Sequence, residues 1–423
     1  MGFIFSLAMK NLFRYKRRTI ITAIAIAAGL AVYIWVDAFM AGIELESQRN
    51  MMWYETGSAQ VLNRDYFAEK DYLPLKYVIE NPDEIISFLK ENNIPATKRI
   101  TMGGELFFFP ADQERDIADA TDRSRNLKFF GLDLATADRV FKLKNVLVDK
   151  KQYLTEGSAG ILLGQALARD MQIEVGDNVQ VRTRSRYGNE VVLDLEVAGL
   201  VNCPNPVIDK GTGFIPLSVL NEALDMEGGV TDIPVLFPEW KNAKKEAVRI
   251  SKLLSPRFGN LDVKDWDDLS GNIMYAQSKK KMIGLLLVLV AIIAAVGIIN
   301  TMLMAVFERI REIGMMRALG MLDKDIRRAF VIEAGGIGLI GSVIGVAIGF
   351  LLTFFSVYWG FDVSAFVGNM DLGYRIYGVF RASWNPATMI VTFFLGIIAS
   401  VLVALYPAGK ALKIDITDCL RHQ

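Results

Sequence analysis

A chain of 423 residues that is 52% hydrophobic, with 47 basic and 47 acidic residues, is too apolar for an ordinary soluble enzyme and too polar for a carrier built of many spans. The formal neutrality hides a split: residues 43–280 hold 30 Lys and Arg against 37 Asp and Glu, a net of −7, so the remainder carries +7. A membrane part and a large, acidic, water-exposed part are expected.

In chain order, residues 1–18 read as an amphipathic helix. Phe3, Ile4, Leu7, Leu12 and Phe13 can lie in a bilayer interface while Lys10, Arg14, Lys16, Arg17 and Arg18 meet anionic headgroups. Four apolar spans follow, at 19–42, 281–307, 329–358 and 386–408; the stretch 282–307 carries no charge over about 26 residues, enough to cross a bilayer core. The first has the basic start of a signal peptide, but its apolar run is too long and no small-x-small cleavage site closes it, so it reads as an anchor. Basic residues cluster at 10–18, 309–328 and 410–421, which puts these segments and both termini in the cytoplasm and residues 43–280 outside. Lys279, Lys280 and Lys281 oppose that orientation locally and are outnumbered.

The outer part is expected to be a mixed α/β domain on a helical stalk. Stretches 43–54 and 266–281 lack helix breakers and extend the first two spans. Between them, strands are predicted at 59–62, 105–109, 178–182, 191–198 and 233–237, and helices at 82–91, 164–171, 217–224 and 241–254. Residues 184–189 form a compact hairpin turn, and the aperiodic polar stretch 112–125 a surface loop. At roughly 240 residues, this region can bury its own core.

The segment 308–328 is more than a connector. Ile310, Ile313, Met316 and Leu319 recur every third residue, while Glu308, Arg311, Glu312 and Arg317 fall largely elsewhere. A short amphipathic helix held at a membrane surface is predicted. In the third span, Gly341, Gly345 and Gly349 make a flat stripe for close helix packing. Glu333 and Asp37 are the carboxylates well inside the spans, each near an end where snorkelling to water is cheap. A short extracytoplasmic loop, 359–385, precedes the fourth span. That span starts at Asn385-Pro386, an N-cap followed by proline at the first helical position, and is expected to break at Pro407, leaving a cytoplasmic tail at 409–423.

Several chemistries are excluded. His422 is the single histidine, so a two-histidine zinc site is impossible, and a Ser-His-Asp triad would place its base across the membrane from the large domain. No G-x-S-x-G elbow and no G-x-x-x-x-G-K-[ST] phosphate loop is present. The basic residues lie beside the membrane rather than in an aromatic-laced groove, which argues against nucleic acid. Cys203 and Cys419 fall on opposite sides and cannot form a disulfide. Energy for any work must come from another chain.

Phe307-Glu308-Arg309, Arg311-Glu312-Ile313-Gly314 and Arg317-Ala318-Leu319-Gly320 closely resemble the motif of MacB/FtsX-type (type VII) ABC transporter permeases. Tyr406 to Ala411 and Asp415 to Arg421 resemble the terminal signature, with Ile416 where proline is usual, and Asn11-Leu12 with Arg17-Arg18-Thr19 resembles the N-terminal approach. Gly164 to Ala168 with Val175-Gly176-Asp177 is similar to the MacB-type periplasmic core. The resemblance implies four spans, a periplasmic domain on a stalk, and a second permease, identical or homologous. It implies two copies of a separate ATPase, which would bind ATP and Mg, with no cofactor and no catalysis in this chain. It makes 308–328 the coupling helix docked on that ATPase, with Ile313, Met316 and Leu319 as apolar grip, Glu308, Arg311, Glu312 and Arg317 for orientation, and Gly314 and Gly320 as parts of the motif. The layout is similar to the lipoprotein-releasing LolC/LolE branch in the bacterial inner membrane, whose cargo passes to a periplasmic chaperone. Only a tight turn at Tyr187-Gly188-Asn189 stands where the LolC-type subunit has a long hook. MacB-like export of another cargo and FtsX-like signalling to a cell-wall hydrolase are the alternatives.

Overall fold

The computed structural model describes residues 2–14, 16–108, 124–270, 273–362 and 379–412, and the chain divides into two compact units. Residues 112–123 of the expected loop, Phe109, the C-terminal signature from 415, Cys419 and His422 lie outside the described residues. The chain opens with α1 (Gly2–Arg14) and α2 (Lys16–Met51), which runs on as a π-helical turn, Met52–Thr56.

The α/β unit then follows: β1 (Ala59–Asn63), α3 (Arg64–Ala68), α4 (Pro82–Glu91), β2 (Arg99–Phe108), β3 (Ser124–Leu132), β4 (Gly160–Gly164), α5 (Gln165–Met171), β5 (Asn178–Arg184) and β6 (Glu190–Val201). It is completed by α6 (Pro206–Gly211), β7 (Thr212–Pro216), α7 (Leu217–Ala223), β8 (Asp232–Val235), α8 (Ala243–Leu254), β9 (Leu261–Asp265) and α9 (Trp266–Ser270). Local chemistry accounts for several of these. Pro82 starts α4 and Asp83 and Glu84 favour its N-terminus, while Ile85 and Leu89 bury its apolar face. Gly188, at φ +86°, lets the β5–β6 hairpin turn within five residues, closed by the Ser185 N–H donating to the Asn189 carbonyl at 2.8 Å.

Strand pairing gives the unit its plan. β2, β3, β7, β4, β6 and β5 pair in cyclic order, and β5 returns to β2, so six strands close a ring. At Arg99 the other edge of β2 meets β8, which continues through β1 to β9. Ser124 and Arg125, expected in a loop, instead begin β3, because β2 supplies partners for the whole strand.

A buried ion pair marks that junction. The Nε of Arg99 donates to Oδ1 of Asp232 at 2.8 Å, and the Thr101 and Thr231 hydroxyls donate to Oδ2 at 2.9 and 2.8 Å. Arg99 also donates to the Glu55 carbonyl and lies over the Phe130 ring, 4.4 Å from its centroid. Removing one partner of such a pair strands a buried charge, so Asp232→Ala is expected to destabilise this unit by about 3–5 kcal/mol. Cys203 reports it, since burial holds its thiol unreactive and pushes its pKa up to about 12. In a Cys419→Ser background, maleimide labelling of Cys203 should speed up by about 100-fold or more. An unchanged rate would show that the pair contributes little.

The second unit contains α1, α2 up to Leu45, α10 (Ile273–Glu308), α11 (Ile310–Ala318), α12 (Asp323–Tyr358) and α13 (Pro386–Leu412). Among the described residues, three helices are long and apolar enough to cross a membrane: Thr19–Thr56, Asp323–Tyr358 and Pro386–Lys410. On α10 the apolar helix established by the described residues, Ala295–Glu308, is shorter than a span. Residues 323–328, expected in the connector, already belong to α12, with Asp323 and Asp325 in its first turn. Asn385 caps α13, its Oδ1 accepting from Thr388 N–H at 3.4 Å. The break expected at Pro407 does not occur: the helix continues to Leu412, held in place by buried Ala404 and Ala408.

Glycine positions decide how α12 is packed. A Cβ on Gly345 would sit 2.9 Å from the Ala27 carbonyl oxygen, and those on Gly341 and Gly349 would sit 3.0 Å from Ile26 and Ile34 of α2. On another side of α12, a Cβ on Gly338 would sit 2.6 Å from the Ser400 Oγ of α13. Asp37 does not snorkel; it is 8% exposed and accepts from the Asn385 amide at 2.9 Å. The stripe is therefore filled by the chain's own α2, and Gly345→Leu should act within the chain rather than on assembly with a second copy. We expect a loss of about 1–3 kcal/mol, read as a lower melting temperature in detergent. An unchanged melting temperature would separate α2 from the stripe.

Candidate functional site

The short helix α11 and its two joints form the site. α10 ends at Glu308 and α11 begins at Ile310, so a single residue, Arg309, makes the turn. Its backbone serves both helices: its N–H donates to the Val306 carbonyl at 3.2 Å, and its carbonyl accepts from Ile313 N–H at 2.9 Å. Its side chain turns inward, where Nη1 lies 3.3 Å from Oε2 of Glu333 on α12. Arg309 is 4% and Glu333 2% exposed. Glu333 was expected to reach water near a span end; it is instead a buried partner, because an arginine comes to meet it.

The other end stops by backbone geometry. Gly320 adopts φ +90°, its N–H donates to the Arg317 carbonyl at 3.0 Å, and Met321 N–H donates to the Met316 carbonyl at 3.0 Å. This is a Schellman stop with Met316 and Met321 packed beneath it. Gly320 thus serves the helix stop, since a side chain at that φ is strained. Arg317 then reaches across the turn to Asp323, Nε to Oδ1 3.2 Å.

The predicted grip is divided by the helix. Residues three apart on an α-helix are rotated by about 60° from one another, so a three-residue repeat drifts around it. Ile310 and Ile313 are buried and Met316 half-buried in the unit's own core, while Leu319, on the opposite side, is 86% exposed. Ile313 and Met316 therefore anchor α11 to its own chain and do not form a surface. Gly314 is buried with them. Glu312 is half-buried and accepts from Arg14 Nη1 of α1 at 3.3 Å, an exposed pair of small energetic weight. The outward ridge consists of Glu308, Arg311, Met315 and Leu319, followed by Leu322. Met315 and Leu322 were missed; tracing the arc opposite Ile310 at 3.6 residues per turn would have found Met315.

Residues 284–416, which include α11 and both joints, match the FtsX-like permease C-terminal family. The chain is similar to ABC transporter permeases of the MacB/FtsX type. Over 302 residues it is 26% identical to the lipoprotein-releasing system transmembrane protein LolC of Xylella fastidiosa, covering 67% of this chain and 68% of that one. An uncharacterized ABC transporter permease of Methanocaldococcus jannaschii is 22% identical over 99% of this chain and 98% of its own length. The macrolide export ATP-binding/permease protein MacB of Escherichia coli K12 is 25% identical over 50% of this chain and 30% of its own length.

The two sides of α11 predict opposite outcomes for similar substitutions. Ile313→Asp buries a charge and should destabilise the protein by about 3 kcal/mol or more, whereas Leu319→Asp should leave its melting temperature within about 1 °C. Equal melting temperatures for both variants would contradict the division of faces.

Proposed function

We propose that this permease couples ATP hydrolysis by a separate ATPase to a conformational change in its α/β unit, with lipoprotein release from the inner membrane as the activity. In this reading the chain spans the bilayer four times, with α10 as the second span. Both termini and α11 are cytoplasmic, and the α/β unit is periplasmic. A second permease and two ATPase copies complete the complex, and ATP and Mg are held by the ATPase. One observation carries the reading: between two long helices, a nine-residue helix fixed at both ends turns Arg311 and Met315 outward, in line with exposed Glu308 before it and Leu319 after it. Such a ridge joins apolar anchors to flanking charges, the composition of a docking surface.

The choice of lipoprotein release is supported by the alignment with LolC, a lipoprotein-releasing system protein by its name, over two thirds of both chains. MacB-like export is the second reading, favoured by the alignment with half of this chain. Handover to a periplasmic chaperone, if this chain performs it, uses a surface other than a long hook, because the β5–β6 turn is closed within five residues.

The test is to purify the tagged permease with its associated ATPase from native membranes. Arg311→Glu and Leu319→Asp should each reduce ATPase recovery at least ten-fold while the permease remains at parental level. Undiminished recovery in both variants would refute docking on this ridge. With the parental complex in proteoliposomes, ATP-dependent transfer of an acylated lipoprotein to a soluble acceptor supports the first activity. Stimulation of turnover by a macrolide alone supports the second.

A further inference from the structure

Glu333 and Arg309 are hydrophobic-environment charges with no role in the docking ridge itself. Their placement is specific: Arg309 is the lone residue between α10 and α11, and Glu333 sits on α12, 24 positions away in sequence. The far end of α11 is tied to the same helix, through the Arg317–Asp323 pair and the stop at Gly320. Ile313 and Met316 line the space between these ties, together with Ile326 and Phe330 of α12. α11 is thus bracketed onto α12 at both ends, while its link to α10 is one residue long. α12 in turn is packed on α2 through Gly341, Gly345 and Gly349, and on α13 through Gly338.

We infer that Arg309 and Glu333 are a positioning pair that locks α11 to α12, so that displacement of α11 enters the membrane through the third span and reaches α2 and α13 from there. A buried pair suits this task better than apolar contact alone. Apolar surfaces slide past one another with little change in energy, whereas an ion pair out of water resists separation because each charge would be left without its partner. The consequence for coupling rests on the function proposed above; the lock itself does not.

The lock is tested on the permease alone, full-length in nanodiscs, with spin labels at Met315→Cys and Arg327→Cys in a Cys419→Ser background. Both labelled positions are exposed, and Cys203 is buried. The parental distance distribution should be narrow. Glu333→Gln, which keeps the shape and removes the charge, and Arg309→Met should each broaden it at least two-fold. The double variant should be no broader than either single one, and Arg309→Lys should stay narrow. Unaltered distributions in the single variants, or additive broadening in the double, overturn the lock irrespective of any ATPase. In the complex, Glu333→Gln should retain parental ATPase recovery and lose at least ten-fold of cargo-stimulated turnover. Full stimulation despite a broadened distribution overturns the route through α12.

Discussion

A guanidinium and a carboxylate 3.3 Å apart, both sealed from water, decide the arrangement around the short helix. Desolvating either ion alone costs several kcal/mol, and pairing offsets that cost for both residues. Once they meet, the end of α10 is fixed beside the third turn of α12, and the chain between them has little freedom left. The nine residues of α11 must then lie along α12, and the Schellman stop at Gly320 returns the chain to α12 itself. The outward ridge is what remains after this geometry has used the inward side.

α12 holds the helical unit together because its small residues admit neighbours on more than one side. In a membrane, the hydrophobic effect does not press helices together, so close backbone approach has to supply the contact. Gly345 reaches the Ala27 backbone, and Gly338 reaches Ser400. Polar ties add direction to this packing: Trp35 Nε1 donates to Ser356 Oγ at 2.7 Å, and Asn385 donates to Asp37. The α/β unit uses a comparable device in its own interior. Arg99 and Asp232 join the closed ring of strands to the three strands that leave it, with two threonine hydroxyls completing the carboxylate's partners.

Burial accounts for part of which strands could be read in advance, although β1 and β8, buried almost throughout, are legible too. β5 alternates buried and exposed side chains along its length and carries a period of two. β4 and β7 are buried throughout, so Gly-Ile-Leu-Leu-Gly and Thr-Gly-Phe-Ile-Pro show no alternation to detect. β3 follows a polar stretch and owes its start at Ser124 to pairing with β2. On the segment 308–320 the motif is visible, but its faces are not: a three-residue repeat reads as one edge and in the helix wraps from the core at Ile310 to solvent at Leu319.

The sequence by itself determined the features that depend on near neighbours and on bulk composition. These are the apolar runs, the acidic middle, the helix at 82–91, the cap at Asn385, the hairpin at Gly188 and the motif from Glu308 to Gly320, because each rests on local sterics or on summed transfer free energy. Only the tertiary structure decided that Glu333 is met by Arg309 rather than by water, that the glycine stripe is covered by α2, that Pro407 stays inside its helix, and that Ile313 faces inward. Each of these depends on a partner far away along the chain. The energy of a buried charge, a bare glycine or a prolyl kink is settled by what packs against it, and a linear pattern carries no record of that neighbour.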